Sequence, residues 1–166
     1  MKFPTVILSV LCFAGCSSAS RQTNDVKEVE QDFREVLKWY QKAADQGNAG
    51  AQHNLGWMYY DGRGVEQDFK EASKWYQKAA EQGHWESQIN LGIAYQGGQG
   101  VAKDIINAYI WFTIASSNGS KLAGKYRDNI ALYMMTNQII EAQRTAREML
   151  EINPKLVQKK KSNTIQ

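Results

Sequence analysis

The sequence of 166 residues contains few residues that break helices or form covalent cross-links. Its two prolines are Pro4 and Pro154, so no proline interrupts residues 5–153, and long stretches of helix are allowed there. Its two cysteines are Cys12 and Cys16, and no cysteine follows them. The body of the chain therefore lacks the thiols needed for a disulfide framework or a thiolate metal site.

Residues that commonly carry catalysis are also scarce. His53 and His84 are the only histidines, and they do not have the spacing of a helical metal-binding pair. Neither Ser73 nor Ser87 has the Gly-x-Ser-x-Gly surroundings of a nucleophilic serine. We therefore predict that the protein is not an enzyme and that it has no metal site and no cofactor.

The charge is unevenly distributed. The formal net charge is +3, but four lysines follow the last acidic residue, Glu151: Lys155, Lys159, Lys160 and Lys161. Without these four and Lys2, the 20 basic residues become 15 against 17 acidic ones, a body of about −2. Such a body has no electrostatic footprint for nucleic acid. Residues 154–166 are predicted to form a basic, disordered tail.

The N-terminus has the pattern of an export signal. Lys2 precedes a short apolar run over residues 6–13, which is far shorter than the ~20 residues of a membrane-spanning helix. The following "CFAGC" resembles the lipobox of bacterial lipoproteins, whose peptide is cut before a cysteine that is then lipidated. Phe13 stands where that motif usually has leucine. An ordinary secretory signal, cleaved nearby, is the alternative.

The lipobox resemblance predicts where the protein resides. Residues 1–15 would be the signal peptide, and residues 16–28 would comprise the lipidated Cys16 and a flexible linker. Several acyl chains on Cys16 would hold the protein on a membrane. The resemblance implies a lipid-anchored protein of the bacterial cell envelope that faces the periplasm, and Ser17 is compatible with sorting to the outer membrane.

The most informative feature is a repeat with a period of 36 residues. "WYQKAADQG" from Trp39 returns as "WYQKAAEQG" from Trp75, and residues 29–64 share 22 identities with residues 65–100. One further period retains six of these residues. A period of this length indicates stacked supersecondary units.

The pattern within one period predicts a pair of helices. Ala72, Trp75, Tyr76, Ala79 and Ala80 mark one face of a long helix, which we expect to begin after Asp68 with a capping box and to end before Gly83. A shorter helix over residues 87–95 should contain Gly92. That glycine and its counterpart Gly56 are expected to let two helices approach closely. The glycine-rich stretches between the helices are predicted to be turns, because the residues of a phosphate loop are missing.

Residues 51–83, "AQHNLGWMYYDGRGVEQDFKEASKWYQKAAEQG", closely resemble the Sel1-like repeat, a relative of the tetratricopeptide repeat, and residues 87–119 fit it more loosely. The resemblance implies an all-α fold, a short α-solenoid of helix–loop–helix units. Its predicted parts are a half-repeat helix at 29–48, repeats at 49–84 and 85–119, and a degenerate helix with a C-terminal capping helix at 120–153.

The family resemblance implies binding of a protein or peptide on the concave face of the solenoid. Framework positions recur between units, so exposed positions that differ are the candidates for contact with a partner. They form three rows on the first helices: His53, Trp57 and Tyr60; Ile89, Ile93 and Gln96; Lys125 and Asn129. The alternative is that Trp57 and Ile93 only pack against neighbouring helices.

We therefore expect a membrane-tethered interaction module. A binder of envelope polymers or small ligands is an alternative, with Trp57 and Tyr60 stacked on sugar rings. A β-lactam-binding hydrolase is a remote alternative, since the cysteine-rich relatives described in that role have a disulfide in each repeat, which this sequence lacks.

Overall fold

The computed structural model describes residues 31–158, which are built from helices without any strand. The predicted signal peptide, Cys16 and the linker lie outside this range. The helices are α1 (31–45 of the described residues), α2 (Ala49–Asp61), α3 (Phe69–Glu81), α4 (Trp85–Gly97), α5 (Ile105–Ser117), α6 (Lys121–Ala131) and α7 (Thr136–Ile152), followed by a 3₁₀ turn (Pro154–Leu156). Among these residues, no helix is long and apolar enough to cross a membrane.

The helices pack in chain order, which confirms the all-α solenoid. Each helix from α2 to α5 lies against the next one, and α7 packs back onto α5. α5 is therefore covered by three other helices. Seven of its 13 residues are buried, and Phe112 and Ile114 are fully inaccessible to solvent. A helix that is apolar on nearly every side belongs in the centre of a fold, and α5 is the centre of this one.

Aspartates begin the second helix of each unit. The Asp68 carboxylate accepts the N–H groups of Lys70 and Glu71 at 2.8 and 3.0 Å, and Asp104 caps α5 in the same way. The predicted capping box at Asp68 does not form. The backbone N–H of Asp68 donates to the carbonyl oxygen of Tyr59, and the Glu71 carboxylate pairs with Lys74 instead.

The two helices of a unit are equal in length, contrary to the expectation of a short and a long helix. α2, α3, α4 and α5 have 13 residues each. The apolar pattern marked only the buried stretch of α4, whereas the helix begins at Trp85 and extends to Gly97 before a left-handed Gly98 ends it.

Recurring helical glycines allow close contact between the helices of one unit, as predicted. A Cβ atom added to Gly56 would lie 2.8 Å from the ring of Tyr76, and one added to Gly92 would lie 2.6 Å from the ring of Phe112. Because such distances are below van der Waals contact, any larger residue would push α2 from α3, or α4 from α5.

The two identical tryptophans of the repeated nonapeptides have different environments. Trp75 is only 8% exposed and packs with Ala44, Ala51 and Leu55 of the preceding helices. Trp39 is 76% exposed. The reason is positional: α1 and α2 cover Trp75, whereas no helix of residues 31–158 precedes α1. Of the two nonapeptide tryptophans, only Trp75 is therefore buried.

The predicted tail is partly ordered. Leu156 is 2% exposed, and its carbonyl oxygen accepts hydrogen bonds from the side chains of Gln88 and Asn118. The prediction of disorder is therefore wrong for residues 154–158, because Leu156, an apolar residue within the lysine-rich stretch, is buried. Residues 159–166 lie outside the described range.

Trp75→Ala should lower the free energy of unfolding by about 3–5 kcal/mol, since it removes a large buried side chain. Trp39→Ala is the matched control, because the same residue in the same nonapeptide is mostly exposed. Its effect should stay within about 0.5 kcal/mol. Urea denaturation followed by circular dichroism measures both; equal losses would contradict the assigned packing.

Candidate binding face

A pocket of about 190 Å³ lies between the first helices of two neighbouring units. Three aromatic side chains and one aliphatic side chain form most of its wall, and three polar side chains complete it. The lining residues are Trp57, Tyr60, Asp61, Tyr76, Asn90, Ile93 and Gln99. We call this site the aromatic pocket. Its volume suits one side chain or one ring of a ligand.

Helical spacing brings the α2 residues of the pocket together. Trp57, Tyr60 and Asp61 stand at i, i+3 and i+4 near the end of α2, so they share one face of that helix. Tyr60 packs edge-to-face on Phe69, with ring centroids 5.2 Å apart. Across the pocket, Ile93 occupies in α4 the position that Trp57 occupies in α2.

Arg63 fixes the outer edge of the pocket. Its guanidinium lies 4.7 Å from the ring centroid of Trp57 and 5.4 Å from that of Phe33 in α1, and it pairs with the carboxylate of Asp61. A cation above an aromatic face is attracted by the π electrons of the ring. Trp57 is therefore held in one orientation although 40% of it is exposed.

Tyr76 forms the inner wall. The residue is 4% exposed, and burial raises the pKa of its phenol, while a hydrogen bond with Asn90 acts in the opposite direction. The hydroxyl therefore stays protonated at physiological pH. With the amides of Asn90 and Gln99, it gives the apolar pocket a few polar groups that can orient a ligand.

The structure brings some of the predicted contact residues together and places others apart from them. Trp57, Tyr60 and Ile93 come together in the aromatic pocket. Ile89 is 5% exposed and belongs to the core, so its predicted place on an exposed row is wrong: the residue faces the helices packed behind α4. Three exposed residues lie outside the pocket lining: Gln96, Lys125 and Asn129.

Four residues of the pocket escaped the sequence prediction. Asp61 and Gln99 differ from their counterparts Gly97 and Arg63, so the comparison between units that selected Trp57 could also have found them. Tyr76 and Asn90 recur in both units and were therefore assigned to the framework. These two residues therefore belong both to the repeat framework and to the wall of the aromatic pocket.

His53 lies outside the pocket lining, in a polar cluster between the units, with its ring centroid 5.7 Å from that of Tyr76. Its ring stacks on that of His84 with centroids 4.6 Å apart, and both Nδ1 atoms lie near the hydroxyl of Ser87, at 2.9 and 3.1 Å. Burial, with the neighbouring His84, lowers the pKa of His53 to about 4, and burial also lowers that of His84. Both rings are thus neutral at pH 7.

The histidine cluster contains a serine and a glutamate, but its serine is not accessible. Ser87 is fully buried, so its hydroxyl serves the two imidazoles and cannot reach a substrate. Glu86, 3.5 Å from His84, is the acid beside them. Over residues 31–158, no group of three or more histidine, cysteine or acidic side chains could hold a metal ion.

Comparison with known proteins identifies the repeat. The Sel1 repeat family model matches residues 26–48, 49–84 and 85–120. A protective antigen of uropathogenic Escherichia coli strains with an SLR fold is 33% identical, with a TM-score of 0.73 over 76% of this chain and 28% of its own. A Sel1 repeat protein from Oxalobacter formigenes is 40% identical, with a TM-score of 0.55 over 56% and 70%.

The chain spans only 28% of the antigen's length, although it spans 70% of the Oxalobacter protein. A comparison with curated protein sequences gives no match.

Stability should fall as the pH is lowered from 7 to 4.5. The unfolded chain binds protons at His53 near pH 6.5, whereas the folded chain does so only near pH 4, so acid favours unfolding within this window. His53→Gln retains a hydrogen-bonding group beside Ser87 but does not titrate. Thermal melts across the range should show a shallower decline for this variant; parallel curves would contradict the assignment.

Proposed function

The chain belongs to the Sel1 repeat family, whose repeats mediate protein–protein interaction, and we propose that it is a membrane-tethered scaffold of the bacterial cell envelope. Its partner, a protein or peptide, binds on the concave face, with the aromatic pocket as the anchor site. The fold is typically that of a non-catalytic scaffold.

The observation that carries the proposal is the half-exposed wall of Trp57 and Tyr60 opposite Ile93. Tryptophan and tyrosine are the residues most often found at the energetic centre of protein interfaces. Burying them completely requires an apolar group from a partner. A bulky side chain inserted between α2 and α4 would supply that group and expel water from the pocket.

The pocket is preorganised for such a ligand. Arg63 already holds the indole of Trp57, and Tyr76 is packed against Gly56. Little side-chain freedom is then lost when a partner binds, which favours affinity. Asp61, Asn90 and Gln99 supply carboxylate and amide groups for the backbone or polar groups of the ligand.

The tether rests on the sequence motif that ends at Cys16, outside the described residues. A lipid on this cysteine would place the solenoid on the periplasmic side, and Ser17 favours the outer membrane. Multiple acyl chains provide stable anchoring where one chain does not.

A second candidate function is binding of an envelope polymer such as peptidoglycan. The pocket combines two exposed aromatic rings with one carboxylate and two amides, and these groups suit the faces and hydroxyls of a sugar. Titration with muropeptides, followed by tryptophan fluorescence, distinguishes this ligand from a protein. Quenching that is lost in Trp57→Ala would favour the polymer.

Trp57→Ala combined with Ile93→Ala should abolish capture of the partner, because it removes both sides of the pocket. A photoreactive residue at Tyr60 would be crosslinked in living cells, and the adducts compared by mass spectrometry. Trp39→Ala is the matched control, since it removes an exposed tryptophan far from the pocket. Equal recovery of every adduct in the double variant would exclude the pocket as the anchor site.

Cys16→Ser should move the protein from the membrane fraction to the soluble fraction, since serine offers no thiol for lipidation. Incorporation of labelled palmitate, tested in parallel, should be lost. Cys12→Ser is the control, because that residue leaves with the signal peptide. Unchanged labelling of Cys16→Ser would contradict the tether without affecting the pocket.

A further inference from the structure

The second repeat holds the end of the described chain through its backbone. Nε2 of Gln88 and Nδ2 of Asn118 both donate to the carbonyl oxygen of Leu156, each at 2.8 Å. Oδ1 of Asn118 accepts the N–H of Gln158 at 2.7 Å. Amides that donate and accept in this way recognise a peptide backbone. The buried side chain of Leu156 adds one aliphatic anchor.

The same amide pair stands one period earlier in the chain. Gln52 and Gln82 precede Gln88 and Asn118 by 36 residues. Nε2 of Gln82 donates to Oε1 of Gln52 at 2.7 Å, just as Nδ2 of Asn118 donates to Oε1 of Gln88 at 2.9 Å. Both pairs are therefore joined by the same hydrogen bond in the same orientation.

The two pairs differ in the donor of their first glutamine. In the first pair, Nε2 of Gln82 donates to the carbonyl oxygen of Lys78 as well, at 3.4 Å. Nε2 of Gln88 donates to Ala80 and to Leu156, which uses both of its hydrogens. Nε2 of Gln52 donates to Ala44 at 3.1 Å, and no second acceptor is found among residues 31–158. Gln52 is 5% exposed, so this spare donor belongs to a side chain that is largely removed from water.

Two turn glycines show where the C-terminal segment runs. The segment lies against Gly83, whereas the equivalent path at Gly47 is free of described atoms. A Cβ atom on Gly83 would collide with the carbonyl oxygen of Lys155. A Cβ atom on Gly47, its counterpart, would meet no described atom within 4 Å. Their φ angles are +85° and +86°, so the two turns have the same backbone shape.

We propose that the first repeat, with Gly47 of the half-repeat before it, holds an open site for a peptide segment, formed by Gly47, Gln52 and Gln82. The site takes a backbone carbonyl group, the N–H group two residues later and one aliphatic side chain. Its ligand has the chemistry of residues 153–158, "NPKLVQ", which fill the equivalent place in the second repeat. The site lies at the turns between units, separate from the aromatic pocket.

Two sources could supply such a peptide: a segment of another protein, or the C-terminal segment of a second copy. Each copy already holds its own segment on Gln88 and Asn118. Because the C-terminal segment of each copy is already bound in this way, another protein is the favoured source of the peptide.

The test is a titration of the full-length protein against a fluorescent peptide with the sequence of residues 151–158, capped at both ends. Fluorescence anisotropy should show one saturable site. Gly47→Asn should weaken binding at least tenfold, because asparagine tolerates a positive φ but places its side chain in the path of the peptide. A peptide with Asp in place of the leucine should bind as weakly.

Gly119→Asn is the matched control. Gly119 has a φ of +88° and no described atom near an added Cβ, but the position equivalent to Gln52 is Gly124, so no amide pair is present there. This variant should bind the peptide as the unmodified protein does. Circular dichroism melts would verify that both variants fold.

Absence of binding, or equal affinity in the unmodified protein and Gly47→Asn, would overturn the proposal. Sedimentation of the protein alone distinguishes the two sources of peptide. A monomer supports a segment of another protein. A dimer that Gly47→Asn dissociates supports the same site filled by a second copy.

Discussion

The contact of an aromatic ring with a helical glycine is the constraint on which the rest of the fold depends. Tyr76 covers Gly56 within one unit, and Phe112 covers Gly92 within the next. Each contact sets the distance between the two helices of a unit. That distance in turn decides where Trp75 meets the preceding unit and how far apart α2 and α4 stand. The aromatic pocket is the space left between those first helices.

The units of this chain tolerate much change in sequence. The third period keeps only six of the repeated residues, yet α5 still packs between α4, α6 and α7. Ala108, Trp111 and Ala115 are among the six, and all are buried. Most other positions differ between the units of this chain. A scaffold of this kind can change its binding surface without changing its fold.

Much of the fold could be predicted from the sequence because the 36-residue period reports local geometry directly. The cap at Asp68, the left-handed turn at Gly83 and the close approach at Gly92 each follow from one residue and its neighbours. The environment of Trp39 could not be predicted in this way. Its nonapeptide nearly duplicates that of Trp75, and only the presence or absence of a preceding unit separates a buried ring from an exposed one.

The candidate site could be predicted less well, since it depends on contacts between residues distant in sequence. Comparison of the units selected Trp57 and Ile93 but placed Ile89 on the surface, because helical spacing alone does not show which side a neighbouring helix covers. The ordered structure of residues 154–158 could not be predicted, because the nearby lysines give this stretch the composition of a disordered tail. It rests on Gln88, which lies 68 residues before Leu156.

The exposed ring of Trp39 has a mechanical consequence. α1 contributes Ala44 to the core, whereas α5 is buried on nearly every side and the C-terminal segment ties the second repeat together. Resistance to opening therefore rises along the chain from α1 to α5. In a linear array whose units touch mainly their neighbours, a pull or a protease that acts on α1 therefore meets the helix with the fewest buried residues first.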